Sequence, residues 1–299
     1  MKPAYSDSRA YVELHLTVVL WGFTAILGDL IQLSALPLVW WRVLLTSLSL
    51  VAFVRVGKMV RELGRRQLLV FTGIGILVAA HWVTFYGAIK LANASVALIC
   101  LATTSLFSSM LEPLIVRRPF NWYELLLGLF ILPGIWLVID GVEAGMNQGV
   151  IIGLVSALLV SVFTSLNKRY VDKTDPLRIT FVELAAATVF LTPFLLLLGS
   201  NGFWPTPLDW VYLIVLALLC TTLTNILFLR ALTRLSAFAA NLTVNLEPVY
   251  GIFLAYFLLD DAQELTPRFY LGTLLILIAV FGYAAVKRWF RLRGTVPRG

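Results

Sequence analysis

Long apolar stretches recur from one end of the chain to the other, and this pattern constrains the fold more than any other feature. The hydrocarbon core of a bilayer is about 30 Å thick, and a helix of about 20 residues crosses it. Charged or turn-forming residues separate the stretches, as at Arg117-Arg118-Pro119 and Asp260-Asp261. The pattern predicts an all-α polytopic membrane protein with ten transmembrane helices. The predicted spans are 11–31, 36–56, 67–89, 93–116, 121–140, 149–167, 179–199, 210–230, 236–259 and 269–286.

The composition excludes two other classes of protein. Of the 299 residues, 60% are apolar and 13% are charged, whereas soluble domains have about 45–50% apolar and about 25% charged residues. A disordered chain lacks apolar residues, but this chain has 19 Phe, 10 Tyr and 9 Trp. Cys100 and Cys220 lie inside apolar stretches, so we expect two small buried side chains and no disulfide framework.

The net charge of +7 is read as an orientation signal. If the N-terminus lies inside, twenty of the 23 Lys and Arg residues fall on the inner side, only Lys90 and Arg268 fall outside, and Arg42 lies within a span. Basic residues beside a span resist translocation, so this asymmetry predicts that both termini are cytoplasmic. We expect an integral protein of the bacterial inner (cell) membrane. Nucleic acid is not an expected partner.

The second half of the chain weakly repeats the first. Residues 85–90 match 228–233 at an offset of 143, and Phe23-Thr24 recurs as Phe163-Thr164 at an offset of 140. The matches keep their order along the chain, which indicates an internal duplication. We expect a first repeat at 11–140, a second repeat at 149–286 and a basic cytoplasmic tail at 287–299.

The number of spans in each repeat predicts how the two copies are related. Five is odd, so the second copy lies upside down relative to the first. The charges agree, because the loop predicted at 57–66 is strongly basic while its counterpart at 200–209 has no Lys or Arg. Inverted repeats are typical of secondary transporters, because two such copies can open alternately to either side of one midplane site. The repeat therefore predicts transport.

Several motifs resemble the EamA-type branch of the drug/metabolite transporter superfamily, which includes an exporter of aromatic amino acids. They are Trp21-Gly22, Trp41-Arg42, the paired segments 88–97 and 231–240, and Asn245-Leu246-Glu247-Pro248-Val249. The resemblance implies a basket-like fold of ten helices in two five-helix halves, with a central cavity for small metabolites that are exported. The chain departs from the family pattern at Thr104-Ser105, where the family usually has Pro, and at Asp260-Asp261, where it often has Gly-Glu.

Polar side chains within the predicted spans are the candidate functional residues, because a charged group at bilayer depth costs at least about 2.5–3.5 kcal/mol. Arg42 could hold a substrate carboxylate or phosphate, and Glu183 could bind a proton or an ammonium group. Inversion places these two at opposite depths, so we expect no direct pair. The candidate substrate-binding residues are Trp21, Arg42, His81, Tyr86, Thr104, Ser105, Asn225, Asn241, Asn245 and Tyr250, and the candidate coupling residues are Glu247 and Glu183.

Spans four and nine occupy equivalent places in the two repeats and carry polar stripes. Ser105, Ser109 and Glu112 share one face of span four, a pattern that also fits simple helix packing. In span nine, Asn241 and Asn245 lie one turn apart and Pro248 follows, which frees backbone carbonyls at mid-membrane. Glu247 is predicted on another face of that helix as a protonatable coupling residue.

Aromatic residues are assigned to two roles. Trp21, at mid-span, is a candidate cavity wall that could stack on a substrate. Trp40 and Trp41, near the outer boundary of span two, are interpreted as anchors at the membrane interface.

The function predicted from these observations is export of small organic metabolites, with amino acids as the first hypothesis, by alternating access and with proton coupling. The alternatives are a channel-like uncoupled facilitator with the same fold and an intramembrane enzyme, although the usual catalytic motifs are absent. With only His15 and His81, in different spans, we expect no histidine-rich metal site and no cofactor. The expected partners are a small-molecule substrate and the lipid bilayer, and the sequence is compatible with a monomer.

Overall fold

The computed structural model describes residues 6–139, 146–198 and 202–244, together with 246–247, 249–251, 254, 267–268, 271–272, 274–275 and 278. The helices are α1 (Asp7–Leu30), α2 (Ala35–Val51), α3 (Val56–Leu91), α4 (Ala94–Ala102), α5 (Thr104–Glu112), α6 (Trp122–Phe130), α7 (Leu132–Ile139), α8 (Asn147–Tyr170), α9 (Pro176–Leu198), α10 (Pro207–Ala217), α11 (Thr224–Leu232) and α12 (Ala237–Val244). Single π-helical segments follow α5, at Pro113–Arg117, and α10, at Leu218–Leu223.

The helices follow the predicted order of spans. In the described part of the chain, six helical stretches are long and apolar enough to cross a membrane, and they correspond to spans one, three, four, six, seven and eight. Two shorter apolar helices, Ala35–Val51 and Trp122–Gly134, correspond to spans two and five. Span nine begins with α12, and span ten falls mostly outside the described residues.

The basic stretch 57–66, predicted as a loop, is helical instead. It forms the first part of α3, which runs from Val56 to Leu91. Met59 and Leu63 are buried while the charged residues between them are exposed, so the stretch is an amphipathic helix at the end of the bundle. Gly64, with φ of 68°, interrupts the helix before the apolar part begins, and a positive φ is readily adopted only by glycine.

The helices pack in pairs that are related by the predicted repeat. α3 of the first repeat packs against α8 of the second repeat. The helices equivalent to these two, α11 of the second repeat and α1 of the first, also pack against each other. α2 packs against α9, and α5 packs against α12, so two pairs of equivalent spans meet face to face. This arrangement places the contact between the two halves along the centre of the molecule.

Residues predicted on the inner side lie together at one end of the bundle. Arg178 at the start of α9 binds Glu62, with Nη1 and Oε2 2.6 Å apart, and Arg169 Nη1 donates to the carbonyl oxygen of Ile115 at 2.9 Å. At the other end, Lys90 Nζ donates to the carbonyl oxygen of Ile31 at 2.8 Å. Successive spans therefore end at alternate ends of the bundle, as the charge pattern predicted.

Apolar side chains cover the outside of the bundle as well as its core. Leu69, Leu114, Val189 and Leu196 each expose more than two thirds of their surface. Such a surface is unfavourable in water but matches the hydrocarbon of a bilayer.

Candidate functional site

A central cavity lies between the two halves of the bundle. Its volume is about 60 Å³. Helices α1 to α5, α8, α11 and α12, with Glu247 after α12, contribute to its wall. The cavity is lined by Trp21, Thr24, Arg42, Val78, His81, Trp82, Phe85, Leu101, Thr104, Val160, Phe163, Thr164, Asn225, Phe228, Asn241, Val244 and Glu247.

Arg42 reaches the cavity from α2 and is held on three sides. Its Nε donates to Thr221 Oγ1 at 2.7 Å, and its Nη1 donates to the hydroxyl of Tyr86 at 2.9 Å. The guanidinium stacks over the ring of Trp82. Only 2% of Arg42 is exposed, and its hydrogen-bond partners in the described part of the chain are uncharged. The guanidinium is therefore fixed in place without a neutralising carboxylate bound to it.

His81 faces the cavity from α3 and is oriented by Ser156 of α8. Its Nδ1 lies 2.7 Å from Ser156 Oγ and 3.2 Å from the carbonyl oxygen of Ser156. The Ser156 hydroxyl in turn donates to the carbonyl oxygen of His81 at 3.2 Å. Because a carbonyl oxygen only accepts, this network assigns the ring proton to Nδ1. The ring then offers Nε2 as an acceptor.

Aromatic rings form much of the cavity wall. Trp21 packs against Phe228, with ring centres 5.2 Å apart, and donates through Nε1 to Thr224 Oγ1 at 3.0 Å. His81 packs against Phe163 at 5.6 Å. A wall of this kind buries the apolar part of a solute while a few fixed polar groups orient its charged part.

Spans four and nine contribute polar groups to the same wall. Asn241 Nδ2 donates to Ser108 Oγ at 2.7 Å, while Asn241 Oδ1 has no hydrogen-bond partner among the described residues. Glu247, 5% exposed, also lines the cavity. Asn241 and Glu247 therefore contribute to the wall of the same cavity.

The structure places four predicted site residues outside the cavity lining. Tyr86 lies behind Arg42 and accepts its hydrogen bond. Ser105 is fully buried and donates to the carbonyl oxygen of Ala102 at 3.2 Å. Tyr250 is half-buried and packs against Gly22 of α1. Glu183 is buried elsewhere in the bundle, between α9 and α3.

Some predicted features lie outside the described residues. They are Asn245, Pro248, the acidic pair Asp260-Asp261 and the tail 287–299.

Ten of the seventeen residues that line the cavity were not among the candidates, and the internal repeat pointed to three of these ten. Thr24, Phe163 and Thr164 line the cavity but were not among the candidates. The signal was present, because Phe23-Thr24 and Phe163-Thr164 are the matched pairs of the internal repeat. Thr24 of span one and Thr164 of span six, which occupy equivalent positions in the two repeats, both line the central cavity.

Trp40 and Trp41 do not have the exposed positions expected of interface anchors. Trp41 is 8% exposed and donates through Nε1 to the carbonyl oxygen of Phe203 at 2.9 Å. Its ring also packs against Trp210 at 4.8 Å, and Trp40 donates to Thr192 Oγ1 at 3.0 Å. The segment before α10 covers these rings, so they join the two halves at that end of the bundle.

No group of three or more His, Cys, Asp and Glu residues suited to a metal ion occurs in the part of the chain that the structure describes.

Comparison with known proteins gives the family. The model of the EamA-like transporter family matches residues 9–140 and again residues 147–285. The chain belongs to the EamA-like transporter family. This places it in the drug/metabolite transporter superfamily and makes it an integral membrane transporter, as the sequence predicted.

Two relatives and one solved structure agree with membership of the EamA-like family. A protein of Archaeoglobus fulgidus named as an uncharacterised transporter is 26% identical over 272 residues, which is 86% of this chain and 92% of that protein. A second protein of the same name and organism is 28% identical over 123 residues, 41% of this chain and 43% of the relative. A crystal structure superposes with a TM-score of 0.73 at 16% identity, covering 95% of this chain and 99% of that chain. The predicted all-α transporter fold is confirmed.

Proposed function

We propose that this EamA-like transporter exports zwitterionic organic solutes, and in particular amino acids with apolar or aromatic side chains, from the cytoplasm of a bacterial cell by alternating access. The observation that carries the proposal is the presence of Arg42 and Glu247 in the wall of one cavity whose other lining is mainly apolar and aromatic. A buried cation and a buried acid that share a cavity match the two charges of an amino acid.

The two charged groups are available to a ligand. Among the described residues, no ion pair is formed by either Arg42 or Glu247. Removing a charge from water is costly unless it is paired, so a solute that brings the complementary charges is favoured over water. The guanidinium would bind the substrate carboxylate, Glu247 would bind the ammonium group, and Trp21, Phe85 and Phe228 would contact the side chain.

The arrangement of the repeats supports alternating access. The cavity lies between the halves, and contacts between them occur at both ends of the bundle. At the predicted inner end, Glu62 binds Arg178, and at the predicted outer end, Asp209 Oδ1 accepts from the backbone N–H of Gln32 at 3.0 Å. Breaking one set of contacts while the other persists would open the cavity to one side at a time.

Exchange of radiolabelled phenylalanine in proteoliposomes tests the proposal. Unlabelled phenylalanine should compete, whereas phenethylamine, which lacks the carboxylate, and phenylpropionate, which lacks the ammonium group, should compete at least about tenfold less well, because each leaves one buried charge unpaired. Glu247→Gln should reduce exchange strongly, and Asp7→Asn, at an exposed acid outside the cavity and away from the contacts between the halves, is the control. Equal competition by all three solutes would contradict the assignment of the charges.

A search without a chosen substrate tests the class and the direction of transport. Cells that overproduce the protein should have smaller internal amino acid pools and should tolerate toxic analogues such as fluorophenylalanine. Unchanged pools together with a fall in another class of metabolite would replace the proposed substrate. Transport that ignores an imposed proton gradient would favour an uncoupled facilitator.

A further inference from the structure

Glu183 occupies a second buried position that the cavity does not explain. It lies on α9, is 3% exposed and is absent from the cavity lining. The backbone of α3 approaches it very closely, because a Cβ atom at Gly75 would overlap the carbonyl oxygen of Glu183. The acid therefore sits at the packed junction of the two halves, where α3 of the first meets α8 and α9 of the second.

Polar side chains of α8 occur both beside Glu183 and in the wall of the cavity. Asn167 of α8 lies beside the Glu183 carboxyl group. Thr164 lines the cavity and lies three residues before Asn167, on the same face of α8. Each of the three carries a buried oxygen that has no hydrogen-bond partner within the described residues. These oxygens are Thr164 Oγ1, Asn167 Oδ1 and Glu183 Oε1.

The cations on the surrounding helices are bound elsewhere. Arg42 of α2 binds Thr221 and Tyr86, and Arg178 of α9 binds Glu62. Other groups on the adjacent helices also have their own contacts: Arg230 of α11 with Glu13, Lys168 with the carbonyl of Leu232, Arg169 with that of Ile115, and His81 of α3 with Ser156. The basic residues in the first part of α3, which are Lys58, Arg61, Arg65 and Arg66, are exposed. In the described structure, Glu183 thus has no ion-pair partner.

We propose that Glu183, buried where α9 meets α3, is the proton-binding site that couples transport, whereas Glu247 binds the substrate. This inference rests on the proposed export function. A buried carboxylate with no cation near it is strongly unfavourable, so Glu183 carries a proton while it is enclosed in this way. Glu247 differs from Glu183 because it shares its cavity with the cation Arg42. A bound metal cation fits poorly, because Ca²⁺ takes six to eight oxygen ligands and Mg²⁺ six, and this cluster offers three unpartnered oxygens.

The position of Glu183 gives the proton a route to the predicted inner side. Glu183 is seven residues after Pro176, the first residue of α9, which is about 10 Å along the helix axis. A proton that enters through the cavity would pass Thr164 and Asn167 and bind the Glu183 carboxylate. Opening at the inner end would hydrate the carboxyl group, which would release the same proton to the cytoplasm as the carboxylate forms.

Transport in proteoliposomes tests whether Glu183 and Glu247 have separate roles, with radiolabelled phenylalanine as the probe. Glu183→Gln should keep exchange of internal and external phenylalanine within about threefold of the wild type, because exchange moves no net proton. In Glu183→Gln, a pH gradient should no longer accelerate net transport. In Glu183→Asp, the gradient should accelerate net transport again, although less than in the wild type. Glu247→Gln should lose exchange itself.

Infrared spectroscopy tests the proton site without reference to any substrate. The reconstituted wild-type protein should show a carboxylic acid C=O band that titrates with pH, present in Glu247→Gln and absent from Glu183→Gln. An unchanged band in Glu183→Gln would overturn the inference.

The transport outcomes separate this inference from the proposed function. A gradient response that persists in Glu183→Gln, or a loss of exchange in that variant, overturns the assignment of Glu183. A wild-type protein that exchanges phenylalanine but ignores the gradient also overturns it, while the export proposal stands. A wild-type protein that exchanges no amino acid refutes the proposed substrate class, and the infrared result then decides whether Glu183 binds a proton.

Discussion

The guanidinium carbon of Arg42 lies 3.8 Å from the centre of the Trp82 ring. This stacking joins span two to span three and leaves the guanidinium at the wall of the cavity. A planar cation on an aromatic face keeps its orientation, so its remaining N–H groups can bind a carboxylate in a fixed geometry.

Replacing Arg42 by lysine keeps the charge but loses the planar geometry. We expect Arg42→Lys to raise the half-saturation concentration for amino acid exchange at least about tenfold, since a hydrogen bond to a charged group contributes about 1.5–3 kcal/mol. Tyr86→Phe removes one hydrogen bond to Arg42 and should have a smaller effect. Thr192→Val, beside Trp40 and outside the cavity, should behave as the wild type. Wild-type kinetics in Arg42→Lys would contradict the role of the guanidinium.

Glu112 should be the most important acid for stability. Its two carboxylate oxygens accept from the backbone N–H groups of Ala237 and Phe238, at 3.0 and 2.7 Å, at the start of α12. Glu112 also binds Arg118, which in turn binds Glu124. Although burial by itself lowers the pKa of Arg118, the two carboxylates raise it above its usual value.

Glu112→Ala leaves Arg118 without one partner and the start of α12 without an acceptor. We expect the free energy of unfolding to fall by about 3 kcal/mol or more. Glu112→Gln retains an amide oxygen and should lose less. Denaturant titration in detergent, followed by tryptophan fluorescence, measures both. Equal stability of the wild type and Glu112→Ala would show that the contact contributes nothing.

Two glycines of α3 allow the contact between the halves to be tested with a matched control. Gly75→Ala should destabilise the protein by about 1–3 kcal/mol, because its Cβ would overlap the backbone of α9 at Glu183. Gly73→Ala is the control, since no atom lies within 4 Å of its added Cβ. Thermal unfolding should give a lower Tm for Gly75→Ala and an unchanged or higher Tm for Gly73→Ala. The reverse order would contradict the packing of α3 on α9.

Arg117 is the one non-glycine residue with positive φ among those described, at 62°. This conformation costs an L-residue about 1–2 kcal/mol, and glycine adopts it freely. We expect Arg117→Gly to raise stability by about 1 kcal/mol, while Arg117→Ala, which removes the same charge, should not. Chemical denaturation of the two variants distinguishes relief of strain from loss of charge.

The sidedness of the bundle can be tested with single cysteines. Ser34 and Arg61 are exposed at opposite ends, and the native Cys100 and Cys220 are buried. In intact cells, a membrane-impermeant maleimide should label Ser34→Cys but not Arg61→Cys. Arg61→Cys should react once the membrane is broken. Labelling in the opposite order would reverse the proposed orientation.

Much of the fold could be read from the sequence because hydropathy and charge act locally. A stretch of apolar residues must be helical in a bilayer, where its backbone polar groups find no other partners. Spans one to eight and the grouping of basic residues at one end follow from this rule. The helix at 57–66 was missed because a short amphipathic helix at the end of a span resembles a charged loop in composition.

Part of the candidate site could be predicted in the same way. Trp21, Arg42, His81, Thr104, Asn225, Asn241 and Glu247 all line the cavity. Polar groups avoid lipid, so they face the bundle interior wherever they occur along a span. The paired threonines Thr24 and Thr164 were visible in the repeat as well.

By itself, the sequence determined which segments cross the membrane, how they alternate and which polar residues must turn inward. Only the tertiary structure decided how the inward-facing residues are divided between sites. Arg42 meets Trp82 and shares a cavity with Glu247, whereas Glu183 lies apart against Asn167. This division depends on where helices far apart in the chain approach each other, as at Gly75, and close packing sets those approaches. Helical spacing within one span carries no information about them.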